Sequence, residues 1–159
     1  MFSGTKGPGE AEALDEQNKN AGTNLRVLIV HARWNTSLIT PLVEGAPSRA
    51  AGSFLSLFNV CTLPANKGTF DAIIAIGVLI KGDTAHFEHI AETVSRGLMR
   101  VQLDFGVPVI FGLLTVLNEE QARKRAGLTS DGHNHGEDWG DAAVEMGAKR
   151  KLWADGVIG

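Results

Sequence analysis

A chain of 159 residues, 43% hydrophobic and 21% charged, can bury one sizeable core but not two. Its formal net charge of −3, with no basic stripe interleaved with aromatics, argues against nucleic acid as a partner, and no apolar run approaches the roughly 20 residues that cross a bilayer. The single cysteine, Cys61, excludes an internal disulfide and suits a reducing compartment.

Residues 1–24 are polar, contain several glycines and show no hydrophobic period, so they read as a flexible N-terminal arm that orders only against a partner subunit. They have neither the apolar core of a signal peptide nor an Arg-rich amphipathic pattern, which points to the cytoplasm. One domain is expected over residues 25–159. Its first strand is LRVLIVHA, residues 25–32, with Arg33, Trp34 and Asn35 at the carboxyl end. Trp34 has two readings, a packing residue or a flat ring that stacks on a heterocycle. SLITPLVEG, residues 37–45, begins an amphipathic helix with Pro41 tolerated only in its first turn. From 46 to 68 neither a helical nor an alternating period persists, leaving room for one short strand around residues 56–61.

The stretch FDAIIAIGVLIKGDTAHFE, residues 70–88, joins a buried strand, a glycine turn and a helix start. Residues 72–80 form an Ile- and Val-rich run typical of a parallel strand covered on both faces. Lys81 and Gly82 break it. The period then becomes helical, with Phe87, Ile90, Ala91, Val94, Leu98 and Val101 on one face and Glu88, Glu92, Ser95 and Arg96 on the other. Asp83 or Thr84 is the expected N-cap, and Gly106 with Pro108 the stop. Free N–H groups at the positive end of such a helix make an anion site, and His86 in the first turn is placed to exchange protons there. The bland alternative is a plain glycine turn followed by a surface histidine.

VPVIFGLL, residues 107–114, is the next strand, and residues 115–118 lead into a helix capped by Asn118, with Gln121 at the capping-box position. Arg123, Lys124 and Arg125 suit its carboxyl end, and Gly127 ends it. The run GLTSDGHNHGEDWG, residues 127–140, reads as a loop before a last helix over residues 141–153, with Ala143, Met146 and Gly147 on a close-packing face. This order predicts a three-layer α/β/α sandwich with a parallel, flavodoxin-like sheet. Ligands bind such sheets outside the carboxyl ends of the strands, where Trp34, the 81–86 turn and the 115–118 loop converge.

The stretches VLIVHARWN, FDAIIAIGVLIKGDTAHFEHI, GLMRVQLDFGVPVIFGLLTVLNEEQARKRAG and GHNHGEDWGDAAVEMG resemble the lumazine synthase family, its fungal branch in particular. The resemblance implies a cofactor-free transferase of riboflavin biosynthesis that condenses 5-amino-6-(D-ribitylamino)uracil with 3,4-dihydroxy-2-butanone 4-phosphate, with no metal. It implies His86 as the proton-transfer residue. Gly82, Asp83, Thr84, Arg125 and His135 match the phosphate site, and Trp34, Leu79, Ile80, Lys81 and Phe111 match the pyrimidine site. Asp83, a carboxylate beside a phosphate, should turn back as an N-cap. The family's sites lie between adjacent subunits of a pentamer, so a homo-oligomer is expected, with Arg125 supplied by a neighbour. The family normally has a second strand, then a Gly-Ser-aromatic-Glu-Leu/Ile-Pro loop and a second helix. Here Gly52, Ser53 and Phe54 are kept, Leu55 replaces the glutamate and the proline is delayed to Pro64, so residues 46–68 read as an atypical, shortened segment that costs the sheet part of a strand and its covering helix. Two other readings compete: a metal-binding module built on Asp131, His133, His135, Glu137 and Asp138, and a ring that assembles without catalysing.

Overall fold

The computed structural model describes residues 24–49, 53–58 and 70–157. The expected N-terminal arm, Asn24 apart, lies outside the described residues, as do Cys61 and the rest of residues 59–69. The elements in chain order are β1 (Arg26–His31), α1 (Thr36–Arg49), β2 (Ser53–Phe58), β3 (Ala72–Ile80), α2 (His86–Phe105), β4 (Val109–Val116), α3 (Glu119–Arg125) and α4 (His135–Ala154). The strands pair in the order β2-β1-β3-β4, and every pairing is parallel. Helices cover both faces of this sheet, which is the expected α/β/α arrangement.

The register assigns each side chain to a face, because successive strand residues alternate. Val27 and Ile29 of β1, Ala72, Ile74, Ile76 and Val78 of β3, and Leu114 and Val116 of β4 point to one side and form the main core with Leu38, Ile39, Leu42 and Ala46 of α1 and Ala143 of α4. Val30, Ala75, Gly77, Leu79 and Leu113 point to the other side, toward Phe87, Ile90, Val94 and Leu98 of α2.

Helix α1 continues from the expected start over residues 37–45 to Arg49, through Pro41 and Pro47, with Pro41 beyond the first turn. Each proline removes a backbone donor, a cost of about 3 kcal/mol in a helix interior. Burial of Leu38, Ile39, Leu42 and Ala46, each exposed by 2% or less, opposes that cost. The turn into α1 is fixed by Asn35 in the left-handed region, at φ 58°. Its carbonyl accepts from the N–H groups of Leu38 and Ile39, and its Nδ2 donates to Val78 O at 3.1 Å.

Helix α4 begins at His135, six residues before its expected start. Asn134 caps it by accepting from the Gly136 N–H at 2.9 Å, so the sequence taken for a loop supplies the first turn. Gly136 and Gly140, which read as loop punctuation, are contact residues. A Cβ on Gly136 would lie 2.1 Å from Leu42 O, and one on Gly140 would lie 1.8 Å from Ala46 O, so α1 and α4 meet backbone to backbone.

The second strand occupies Ser53–Phe58, not residues 56–61. It pairs with β1 along its whole length, from Arg26 opposite Ser53 to His31 opposite Phe58. This corrects the expectation that the sheet has lost part of a strand: six residues of open β1 edge are matched by six residues of β2. Ser53 and Phe54 therefore lie within a strand and not in the loop that follows one. Strand β4 is likewise displaced, to Val109–Val116, because the left-handed Gly106 and then Pro108 occupy the turn. At the amino end of the sheet, buried Asp71 accepts from the Arg26 N–H at 2.7 Å and lies 3.3 Å from Lys151 Nζ, which ties β1, β3 and α4 together.

Candidate active site

The β3–α2 joint is built by a strand that ends against its neighbour and a helix that starts late. The Lys81 N–H donates to Val116 O at 2.8 Å, extending the ladder one residue past β3. Gly82, Asp83 and Thr84 then turn without entering the helix. Neither Asp83 nor Thr84 is the N-cap: that position is Ala85, with no capping side chain, although Thr84 Oγ1 accepts from the His86 N–H at a long 3.4 Å. Asp83 is exposed, so its expected backward turn as a cap is also corrected. The physical reason is the helix start at His86, which leaves Asp83 too far up the chain to reach the first N–H groups. An uncapped first turn of a 20-residue helix presents its N–H groups and the positive end of its dipole to whatever lies above β3.

A cavity of about 890 Å³ lies above β3, and its lining includes Gly82, Thr84 and His86 from this joint, Leu79 and Ile80 from the end of β3, and Trp34 from the β1 exit. Trp34 is 80% exposed, which discards the core reading and leaves an indole at the mouth of the cavity. Sequence reasoning missed three other lining residues. His31 ends β1, Asn35 fixes the turn, and Phe87 faces inward from the second position of α2. The Trp34-Asn35 pair after a strand was the available signal for Asn35, since asparagine is enriched at positive φ. Lys81 does not line the cavity. Its ammonium is ion-paired with Glu88 and stands 5.6 Å from the Phe87 ring centroid, and the pairing holds the Glu88 carboxyl below its ordinary range.

The remaining matched residues lie elsewhere on the same chain. Phe111 is opposite Ala75 on β4, 45% exposed and outside the cavity lining. Arg125 is the last residue of α3, with Nη1 donating to Gln121 O at 3.3 Å and its side chain exposed. His135 opens α4. Burial pushes its pKa below the ordinary histidine value, the Asp138 carboxylate works against that shift, and the charges of His133 and Arg125 reinforce it. Arg125 and His135 thus sense each other's charge, but neither lines the cavity that holds His86.

Near them Asp138 accepts from His133 Nε2 at 2.8 and 2.9 Å and lies 3.4 Å from His135 Nδ1. Asp131 is engaged instead by Lys124 and by Thr129 Oγ1, which hold its carboxyl below the usual range. The five-residue metal module therefore does not assemble: among the described residues no group of three or more His, Cys, Asp or Glu side chains is arranged to hold a metal. The described helices also include none long and apolar enough to cross a membrane.

A parallel sheet, an open crevice beyond its carboxyl ends and an uncapped helix start carrying a histidine define the class, an α/β protein with a ligand crevice at the strand ends. The family model described as 6,7-dimethyl-8-ribityllumazine synthase matches residues 50–151. A Schizosaccharomyces pombe protein of that name is 52% identical, with 94% of this chain and 98% of that protein covered. A Pyricularia oryzae protein of the same name is 44% identical over 96% of this chain and 98% of its own length, and one from Leifsonia xyli is 39% identical over 90% and 93%. The chain belongs to the 6,7-dimethyl-8-ribityllumazine synthase family.

Proposed function

We infer that this protein makes 6,7-dimethyl-8-ribityllumazine by condensing 5-amino-6-(D-ribitylamino)uracil with 3,4-dihydroxy-2-butanone 4-phosphate, a transferase step of riboflavin biosynthesis. The observation that carries the reading is family membership over nearly the whole chain, joined to a crevice in which His86 sits at an uncapped helix start beside Gly82 and Thr84. The amine of the pyrimidine attacks the carbonyl of the phosphorylated ketone to give a Schiff base, phosphate leaves, and ring closure with loss of water completes the lumazine. In this scheme His86 moves the protons of the Schiff-base and elimination steps. The turn at Gly82 and Thr84 holds the phosphate against the open N–H groups at the start of α2, with Asp83 at the edge of that turn. Trp34 stacks on the pyrimidine, and Leu79, Ile80 and the backbone at Lys81 line it.

Arg125, His135 and Phe111 complete the site from a second copy of the chain. Support for this comes from their placement outside the cavity of their own chain, with Arg125 and Phe111 exposed, and from exposed apolar residues elsewhere on the chain, Met99, Leu103 and Phe105 on α2. The proposed assembly is a homo-oligomer, a pentamer in keeping with the family resemblance, and the proposed location is the cytoplasm. The two proposed substrates are its ligands, without cofactor. The test is lumazine formation by the purified protein, followed optically, beside its mass in solution. Turnover with an oligomeric mass is expected. Arg125→Ala should then raise KM for the phosphorylated substrate by about 10-fold or more while leaving that of the pyrimidine little changed, because a charge-assisted fork is lost from one anion only. No product from an oligomer that binds both substrates would overturn the reading, and equal losses for both would make Arg125 a dipole complement.

A further inference from the structure

Asp138 is 27% exposed on its side chain and faces two imidazoles. His133 Nε2 meets both carboxylate oxygens, at 2.9 and 2.8 Å, and His135 Nδ1 lies 3.4 Å from Oδ2. The two rings stand edge to face with centroids 5.5 Å apart, and His135 stacks on Trp139 at 6.4 Å. A carboxylate accepts only, so each imidazole that faces it is favoured with its proton on the facing nitrogen. That places the His133 proton on Nε2 and the His135 proton on Nδ1, leaving His135 Nε2 with a lone pair. A lone pair repels an anion. His135 can serve a phosphate only by taking a second proton, on Nε2, and the shared carboxylate is the one negative charge here that makes this affordable.

We propose that Asp138 is a positioning residue that fixes the tautomer of His135, so that the Arg125–His135 half of the phosphate site gains its second positive charge by proton uptake when the dianion arrives. The inference rests on the reading of Arg125 and His135 as phosphate ligands. The groups that bear on His135 are Asp138 on α4, His133 in the preceding loop and Arg125 on α3. Without an anion, burial and the Arg125 charge disfavour the charged imidazole; a dianion reverses the balance. The device spares the free protein two adjacent uncompensated cations, and it couples phosphate capture to pH.

Sulfate is the probe, a dianion that does not itself titrate near neutrality. Its binding to the oligomer, measured calorimetrically at neutral pH in buffers of different ionisation enthalpy, gives the protons taken up per anion. The unaltered protein should take up a fraction of a proton, and nitrogen-detected NMR should show the His135 proton on Nδ1. Asp138→Asn should abolish the uptake, weaken sulfate about tenfold or more and relax the tautomer, while Asp138→Glu restores part of each. Uptake and affinity unchanged in a folded Asp138→Asn, or a His135 proton on Nε2 in the unaltered protein, would overturn the proposal. If the oligomer forms lumazine but Arg125→Ala and His135→Gln leave sulfate binding untouched, the proposal falls and the reading of the activity stands; if it forms none, that reading fails on its own.

Discussion

The two faces of the sheet are finished differently. On one, Val27, Ile29, Ile74 and Ile76 are sealed beneath α1 and α4, whose backbones touch at Gly136 and Gly140. On the other, Val30, Ala75 and Gly77 look across a cavity toward α2, in which no residue is buried. The same strands serve both, since alternate residues supply alternate faces. The sealed face holds the fold, and the open face leaves room for a ligand and, outside α2, the exposed apolar residues Met99, Leu103 and Phe105. Within the core, loss of fold should therefore follow changes on the sealed face, whereas loss of function without loss of fold should follow changes at the open crevice and at the helix ends that carry Arg125 and His135.

The largest expected separation comes from His86→Ala. Turnover should fall ten- to a thousand-fold, the range for a positioned acid–base group, while thermal unfolding stays put because His86 is exposed. An unchanged rate in an intact assembly would remove it from the mechanism.

Paired glycine substitutions sharpen the contrast. Gly140→Ala drives a Cβ onto Ala46 O and should cost about 1–3 kcal/mol in denaturant unfolding, the usual range for overpacking. Gly97→Ala, in α2, meets nothing within 4 Å and should stabilise by about 0.5–1 kcal/mol through helix propensity. Equal effects would mean that the two faces are packed alike.

The smallest effect concerns pH. The pKa of His135 lies below its ordinary value, so between the two values the unfolded chain binds more protons than the folded one. Its contribution to stability is full above the ordinary histidine pKa and is lost as pH falls through that window. His135→Gln should flatten the acid limb of a melting-temperature profile. A steeper limb in the variant would show that the folded state favours the charged ring.

Much of this was legible in the sequence, and the exceptions share a cause. The strand at 72–80 and the helix after it were readable because periodicity is local. The cap of α3 was readable too: Asn118 accepts from the Gln121 N–H at 2.9 Å, although Gln121 Oε1 reaches the Leu117 N–H and not that of Asn118. The start of α4 was hidden because Gly136 and Gly140 look like loop residues until α1 lies against them. The extent of α1 was hidden because no helical period persists after residue 45, and only tertiary burial carries the helix on through Pro47. Strand β2 was misplaced because its register is set by β1 and not by its own pattern. In the site, the crevice residues come from the ends of β1 and β3, whereas the 115–118 loop expected to join them does not line the cavity, and the pairing of His133 with Asp138 spans the start of a helix that the sequence did not reveal.

The central claim is that one working site draws His86 from one copy and Arg125 from another. Subunit complementation tests it most directly: His86→Ala and Arg125→Ala proteins, each weakly active alone when the phosphorylated substrate is held well below KM, are unfolded together, reassembled at equal amounts and assayed for lumazine formation under that condition. Random mixing in a ring gives about a quarter of the interfaces both intact halves, so activity should return to about that fraction of the unaltered level. Mixed assemblies of the right mass with no more activity than the separate variants would contradict the account and place both residues in the site of a single chain.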